Sequence, residues 1–162
     1  MLFWLNVLAR RGESVEAIVR AHWARFGRNY YTRHDYEAIP TDAAQQVMQR
    51  VRDRLATLPG STFAGRRVAS ADDFAYHDPV DGSTSAHQGL RVLCDDGARV
   101  VWRLSGTGTE GATLRLYVEA FEPDASRHDL DAQVALRPLI DEALALCALR
   151  ELTGREEPTV IT

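Results

Sequence analysis

Two arginines, Arg103 and Arg115, bracket a run of small and hydroxylated residues: Ser105, Gly106, Thr107, Gly108, Thr109, Glu110 and Gly111. A guanidinium group presents a planar fork of N–H donors that matches phosphate oxygens, and the Ser105 and Thr107 hydroxyls can donate to the lone pairs left over. Small residues let the backbone turn sharply and offer its own N–H groups to an anion. This is the chemistry of a phosphate grip.

The elements that position it are two strands. Val100–Leu104 is a β-branched and apolar run, and residues 113–121 alternate apolar with polar side chains, so the glycine-rich segment joins one strand to the next. On a period of two, Val101, Arg103 and Ser105 share one face, as do Thr113, Arg115 and Tyr117. Both guanidinium groups are therefore expected on the same side of a hairpin.

Gly106, Gly108 and Gly111 also satisfy G-x-G-x-x-G, but the context excludes the usual nucleotide readings. A dinucleotide loop must open a helix, whereas a strand pattern follows here. A kinase loop needs V-A-I-K, H-R-D and D-F-G elements, and none occurs in the sequence. A Walker A lysine is absent as well.

Composition narrows the class further. The 162 residues suffice for one ordinary domain with a short flanking segment. A net charge of −4 gives no broad nucleic-acid surface, so any positive charge for an anion must be local. Cys94 and Cys147 lack C-x-x-C spacing and read as buried thiols in a reducing, cytoplasmic setting. Met1 to Ala9 is apolar but broken by Asn6 and followed by Arg10 and Arg11, which indicates neither a signal peptide nor a membrane span. Leu2, Phe3, Trp4 and Leu5 are expected to be exposed.

Helical spacing then runs through Val15, Ile18, Val19, His22, Trp23 and Phe26, with Ser14 as N-cap and Gly27 as stop. Residues 27–37 carry neither period and read as a connector. A second helix starts with Thr41 or Asp42 as cap, stripes Ala44, Val47, Met48, Val51 and Leu55 on one face, and ends at Pro59 and Gly60. A strand near 66–70 and an acidic segment follow. Asp72, Asp73, His77, Asp78 and Asp81 could suggest a metal site, but Pro79 and Gly82 make turn chemistry the better account, and no metal ligands are assigned. A hairpin at 90–94 and 98–105 turns over Asp95, Asp96 and Gly97. A long helix from about 131 to 152 closes the chain, with Pro138 in its first turn or at a kink. The expected fold is α+β, an antiparallel sheet of about four strands with flanking helices on one face.

Four stretches taken together carry a family resemblance: RLSGTGTEGATLRLYVEAFE from Arg103, GRNYYTRHDYE from Gly27, DDFAYHDPVDGSTSAHQGLRVL from Asp72, and the ending LRELTGREEPTVIT. In this order they resemble the C-terminal domain of phosphoglucomutase, in the α-D-phosphohexomutase superfamily. The resemblance implies an enzyme interconverting glucose 1-phosphate and glucose 6-phosphate through glucose 1,6-bisphosphate, with a phosphorylated serine and Mg²⁺. It implies that the last of four domains, with a TATA-binding-protein-like fold, holds the phosphate that is not being transferred. That role falls on Arg103, Ser105, Gly106, Thr107 and Arg115, with Thr109 where many relatives have serine and Glu110 where they often have a small residue.

On the same resemblance, residues 1–39 are the end of the third domain and the hinge, and residues 40–162 the C-terminal phosphate-binding domain. Arg28 and Arg33 are then candidates for the hinge or the cleft. The family's Thr-Ala-Ser-His-Asn-Pro, Asp-Gly-Asp-Gly-Asp-Arg and Gly-Glu-Glu-Ser-Phe-Gly segments do not occur in this sequence. The expectation is a C-terminal piece of a mutase, without turnover of its own. Its partners would be sugar phosphates and the upstream mutase domains, with no nucleic acid and no membrane. Mg²⁺ and the bisphosphate would belong to the full-length enzyme, and no cofactor to this chain. The alternative is an independent, noncatalytic module that binds sugar phosphates or another anion.

Overall fold

A computed structural model describes residues 2–108 and 111–162. Helices α1 (Leu2–Arg11) and α2 (Val15–Phe26) come first, and α1 buries none of its residues. The Ser14 hydroxyl accepts from the Ala17 N–H at 3.1 Å and starts α2 as expected. Gly27 closes it by donating to the Trp23 carbonyl.

Residues 27–37 are not a connector. Strand β1 (Arg28–Ile39) begins one residue after the helix stop. Its Tyr30, Thr32, His34 and Tyr36 are buried, and all four carry polar side-chain atoms, which hides the period of two from a hydropathy reading.

Helix α3 (Thr41–Arg52) follows. Pro40, not Thr41 or Asp42, occupies its N-cap, with no side-chain cap bond. The Pro40 carbonyl accepts the first helical bond, from Ala44, and the ring fixes the approach of the chain. Ala44, Val47, Met48 and Val51 are buried as the stripe requires, but α3 stops at Arg52 and Leu55 begins a short 3₁₀ turn. The remaining strands are β2 (Thr62–Phe63), β3 (Arg66–Asp73), β4 (Tyr76–His77), β5 (Thr84–Ser85), β6 (Leu90–Cys94), β7 (Arg99–Gly108), β8 (Gly111–Glu122) and, near the end of the chain, β9 (Val160–Ile161).

Seven strands form one antiparallel sheet in the order β2-β3-β6-β7-β8-β1-β9. The count exceeds the expected four or so because β1 was hidden and β2 and β9 are two residues each. Strands β4 and β5 form a separate ribbon. There Asp78 accepts from the Val80 N–H and Asp81 from the Ser83 N–H, both at 2.8 Å, so these carboxylates build turns. Asp72 is engaged by Arg91, and Asp73 by Arg52 and His87.

Between β8 and β9 the expected single helix is two, α4 (Ala132–Leu146) and α5 (Leu149–Thr153). Ala148 takes a left-handed conformation at φ 51° and redirects the chain, a break that no proline or glycine announces. Pro138 lies within α4.

Helices α3 and α4 cover one face of the sheet. Trp102, Leu114, Leu116, Leu136, Leu139 and Ile140 make the core between the two layers. Gln133 of α4 fixes the seating on β1, its Oε1 accepting from His34 Nε2 at 2.7 Å and its Nε2 donating to the Thr32 hydroxyl at 2.8 Å. Cys94 and Cys147 are both free and buried. Among the described residues no helix is long and apolar enough to cross a membrane.

Candidate functional site

The face of the sheet away from the helices carries the charge. Strand β8 alternates buried residues, from Ala112 to Ala120, with partly exposed Thr113, Arg115, Tyr117 and Glu119. Strand β7 sends Trp102 into the core and Arg103 outward. In the register, Arg103 stands directly opposite Arg115, Ser105 opposite Thr113, and Val101 opposite Tyr117. Residues directly opposite in an antiparallel pair share a face, so the two arginines leave the same side of the hairpin, as the alternation requires.

Like charges directly opposite are unfavourable in a sheet. Counter-charge arrives on the other side of Arg115, where β1 places Asp35 directly across from it. Asp35 is only 4 % exposed. The Arg33 Nε lies 2.8 Å from its Oδ1, and the Arg115 Nε lies 3.7 Å from its Oδ2. These are ion pairs rather than aligned hydrogen bonds, since neither Nε directs its hydrogen at the carboxylate. Arg99 is neutralised by Glu119 at 2.7 Å, while none of the ion pairs among the described residues includes Arg103.

The loop end of the hairpin is shaped by two bulges. Between Ser105 and Gly108 strand β7 carries one residue more than β8, which takes Gly106 and Thr107 out of paired register. Gly106 sits at φ 74°, a conformation that L side chains adopt at a cost. On the other flank of β8 a second shift lies between Tyr36 and Ile39. Gly111, at φ 94°, lets the two strands approach there: a Cβ at this position would sit 2.8 Å from the Ile39 carbonyl oxygen. Both neighbours of β8 thus bend where β8 begins, and the backbone of the Ser-Gly-Thr segment is released from the ladder. Thr109 and Glu110 lie outside the described residues, and of Thr107 only its backbone place in β7 is described.

A cleft of about 700 Å³ on this face is lined by Tyr31, Arg33, Arg99, Arg103, Tyr117 and Thr162 among others. Arg103 also borders a second cleft of about 460 Å³ with Gln45, Gln49, Arg52, His87 and Gln88. Arg33 and Arg103 thus line one cleft, while Arg115 does not line it and is linked to Arg33 through their shared Asp35. The structure takes Arg28 elsewhere: that guanidinium lies over the rings of Trp23 and Tyr30, at 4.1 and 4.0 Å from their centroids, and donates to the His128 and Leu130 carbonyls. Arg28 ties α2 to the sheet and does not line the cleft. Asp35 escaped sequence reasoning, although the alternation Arg33-x-Asp35 would have exposed it once residues 28–39 were read as a strand.

A site of this kind can hold an oxyanion by charge and by donors, and among the described residues no nucleophile stands beside an activating base. Among the described residues no three His, Cys, Asp or Glu side chains cluster in a way that could hold a metal ion.

Comparison with known proteins gives a consistent picture. A family model described as the C-terminal domain of phosphoglucomutase-1 matches residues 28–159. The phosphoglucomutase of Rhizobium radiobacter is 56 % identical over 162 residues, all of this chain and 30 % of that protein. Phosphoglucomutase-1 of Oryctolagus cuniculus is 47 % identical over 171 residues, again all of this chain and 30 % of that protein. Among solved structures, pp63/parafusin (phosphoglucomutase) of Paramecium in its open form superposes with a TM-score of 0.87 at 38 % identity, covering 98 % of this chain and 28 % of that one. The chain spans less than a third of the length of these relatives.

Proposed function

The chain belongs to the phosphoglucomutase family as its C-terminal domain, and from that premise we propose that its open sheet face holds the non-transferred phosphate of a glucose phosphate. The observation that carries the reading is the pairing of Arg103 directly against Arg115, beside a bulge that frees the backbone of Gly106 and Thr107. Two like charges in that position are unfavourable for the fold, and a phosphate monoester dianion between them reverses the sign. Ser105 lies on the same face, one alternation beyond Arg103, with its hydroxyl available as a further donor.

In this reading the partners are glucose 1-phosphate and glucose 6-phosphate on one side and the upstream mutase domains on the other. The intramolecular phosphotransferase chemistry, with its phosphoserine, Mg²⁺ and glucose 1,6-bisphosphate, is carried by those upstream domains. No residue of this chain is given a step in it. The chain itself supplies binding and orientation, which keep one end of the sugar bisphosphate anchored while the other reacts. A reducing, cytoplasmic setting goes with this reading and is supported by the two free, buried thiols.

Calorimetric titration of this chain with glucose 6-phosphate and glucose 1-phosphate tests the assignment. Saturable binding is expected, weakened by more than tenfold in Arg103→Ala and in Arg115→Ala, because each charge-assisted hydrogen bond contributes about 1.5–3 kcal/mol. Heats indistinguishable from dilution for both esters would remove the proposal.

A further inference from the structure

The buried carboxylate of Asp35 does not face the solvent where a phosphate arrives, yet it lies between two of the four guanidinium groups of the open face, Arg33, Arg99, Arg103 and Arg115. Both of those groups turn the same edge toward it. The Nε atoms of Arg33 and Arg115 are buried and approach Oδ1 and Oδ2 respectively, while the side chains as a whole keep 35 and 40 % of their surface. The exposed part of each fork is therefore its terminal nitrogens.

We propose that Asp35 is a positioning residue of the phosphate grip: it anchors the Nε edges of Arg33 and Arg115 so that their terminal nitrogens are presented on the open face, Arg115 directly opposite Arg103, and it thereby brings Arg33 into the grip. The proposal rests on the phosphate-holding role given above.

Three observations support it. Register alone sets Asp35, Arg115 and Arg103 in one row across β1, β8 and β7, so the anion sits behind the cation that is opposed by another cation. Without that carboxylate, Arg115 would be repelled by Arg103 and would swing toward water. Arg33, Arg103 and Arg115 with one carboxylate leave two positive charges, the complement of a phosphate monoester dianion. Finally, the pairing of Asp35 with both Nε edges, at 2.8 and 3.7 Å and without aligned hydrogen bonds, holds carboxylate and guanidinium groups as ion pairs and leaves the terminal nitrogens of both arginines uncommitted.

The test uses side-chain ¹H–¹⁵N spectra and phosphate titrations of the whole chain. In the wild-type protein without ligand, the Nε–H signals of Arg33 and Arg115 should exchange with water at least tenfold more slowly than that of Arg103. Equal exchange for all three would overturn the proposal, whatever any variant does. In folded Asp35→Asn the Arg115 signal should move and its protection should be lost, with affinity for glucose 6-phosphate down by about tenfold, and Asp35→Glu should restore part of both.

An unchanged Arg115 signal in Asp35→Asn, or unchanged affinity, would also overturn it. A general loss of packing would instead shift amide signals of the α3 and α4 core without singling out these two guanidinium groups. If the wild-type chain binds no sugar phosphate while the ligand-free exchange pattern holds, the phosphate reading fails and the anchoring of the two forks stands.

Discussion

The two faces of one sheet are built to opposite rules. Toward α3 and α4 the strands present Trp102, Leu114, Leu116 and Val118, all buried, and the polar side chains there are Tyr36, Thr32, His34 and Gln133, with no carboxylate or guanidinium among them. On the other face, in the same strands and often at the very next residue, stand Arg103, Arg115, Tyr117 and Asp35. The apolar face gains from removing surface from water and is indifferent to what binds. The charged face sets Arg103 against Arg115 and balances its other arginines with the carboxylates of Asp35 and Glu119. Alternation along β7 and β8 lets stability and recognition be specified independently within a dozen residues.

That division can be broken from either side. Trp102→Ala removes the largest fully buried side chain and should cost about 3–5 kcal/mol in urea unfolding, while whatever fraction stays folded binds sugar phosphate as before. High pH should damage the same face. Burial pushes the Cys147 thiol from 9.0 to about 12 and the Tyr36 hydroxyl from 10.0 to about 12. Both groups hold their protons more tightly folded than unfolded, so their stabilisation is complete below pH 9 and is lost as the pH rises toward 12. By linkage the fall should reach about 3 kcal/mol or more, and Tyr36→Phe with Cys147→Ala should flatten it relative to its own value at pH 8.

Arg103→Ala should do the reverse of a core change. By removing one of two opposed cations it should leave stability equal or raised by up to about 1 kcal/mol, even as phosphate binding is lost. A stability loss as large as that of Trp102→Ala would mean that the two faces are not separable. The smallest effect is expected at Glu119→Gln. It breaks an exposed pair with Arg99 and should shift stability by no more than about 1 kcal/mol, measured by the same urea melts.

What the sequence made legible follows from the same division. Helices α2 and α3, the hairpin of β6 and β7, and the facing of Arg103 with Arg115 were all readable, because in each the apolar residues mark one side and the polar residues the other. Strand β1 was not readable, because its buried side is made of Tyr30, Thr32, His34 and Tyr36, whose burial depends on Gln133 and on the residues around Arg127 and His128 far along the chain. Missing the strand also meant missing Asp35. The end of α4 was obscure for a different reason: Ala148, the best of helix formers, is where the helical path breaks, so local propensity points the wrong way and tertiary packing of Leu149 decides. Within the site, Arg28 and Arg33 looked alike as members of one basic run. Only the alternation of β1 separates a clamp on Trp23 from a member of the cleft.

Residue 162 is held beside Arg33 by a reciprocal pair of backbone hydrogen bonds of 2.8 and 3.0 Å, and it borders the larger cleft. A fluorophore or spin label attached at that position would report from the rim of the anion site without touching either bulge. The same attachment point would be a poor choice for a bulky affinity handle, which would crowd the larger cleft.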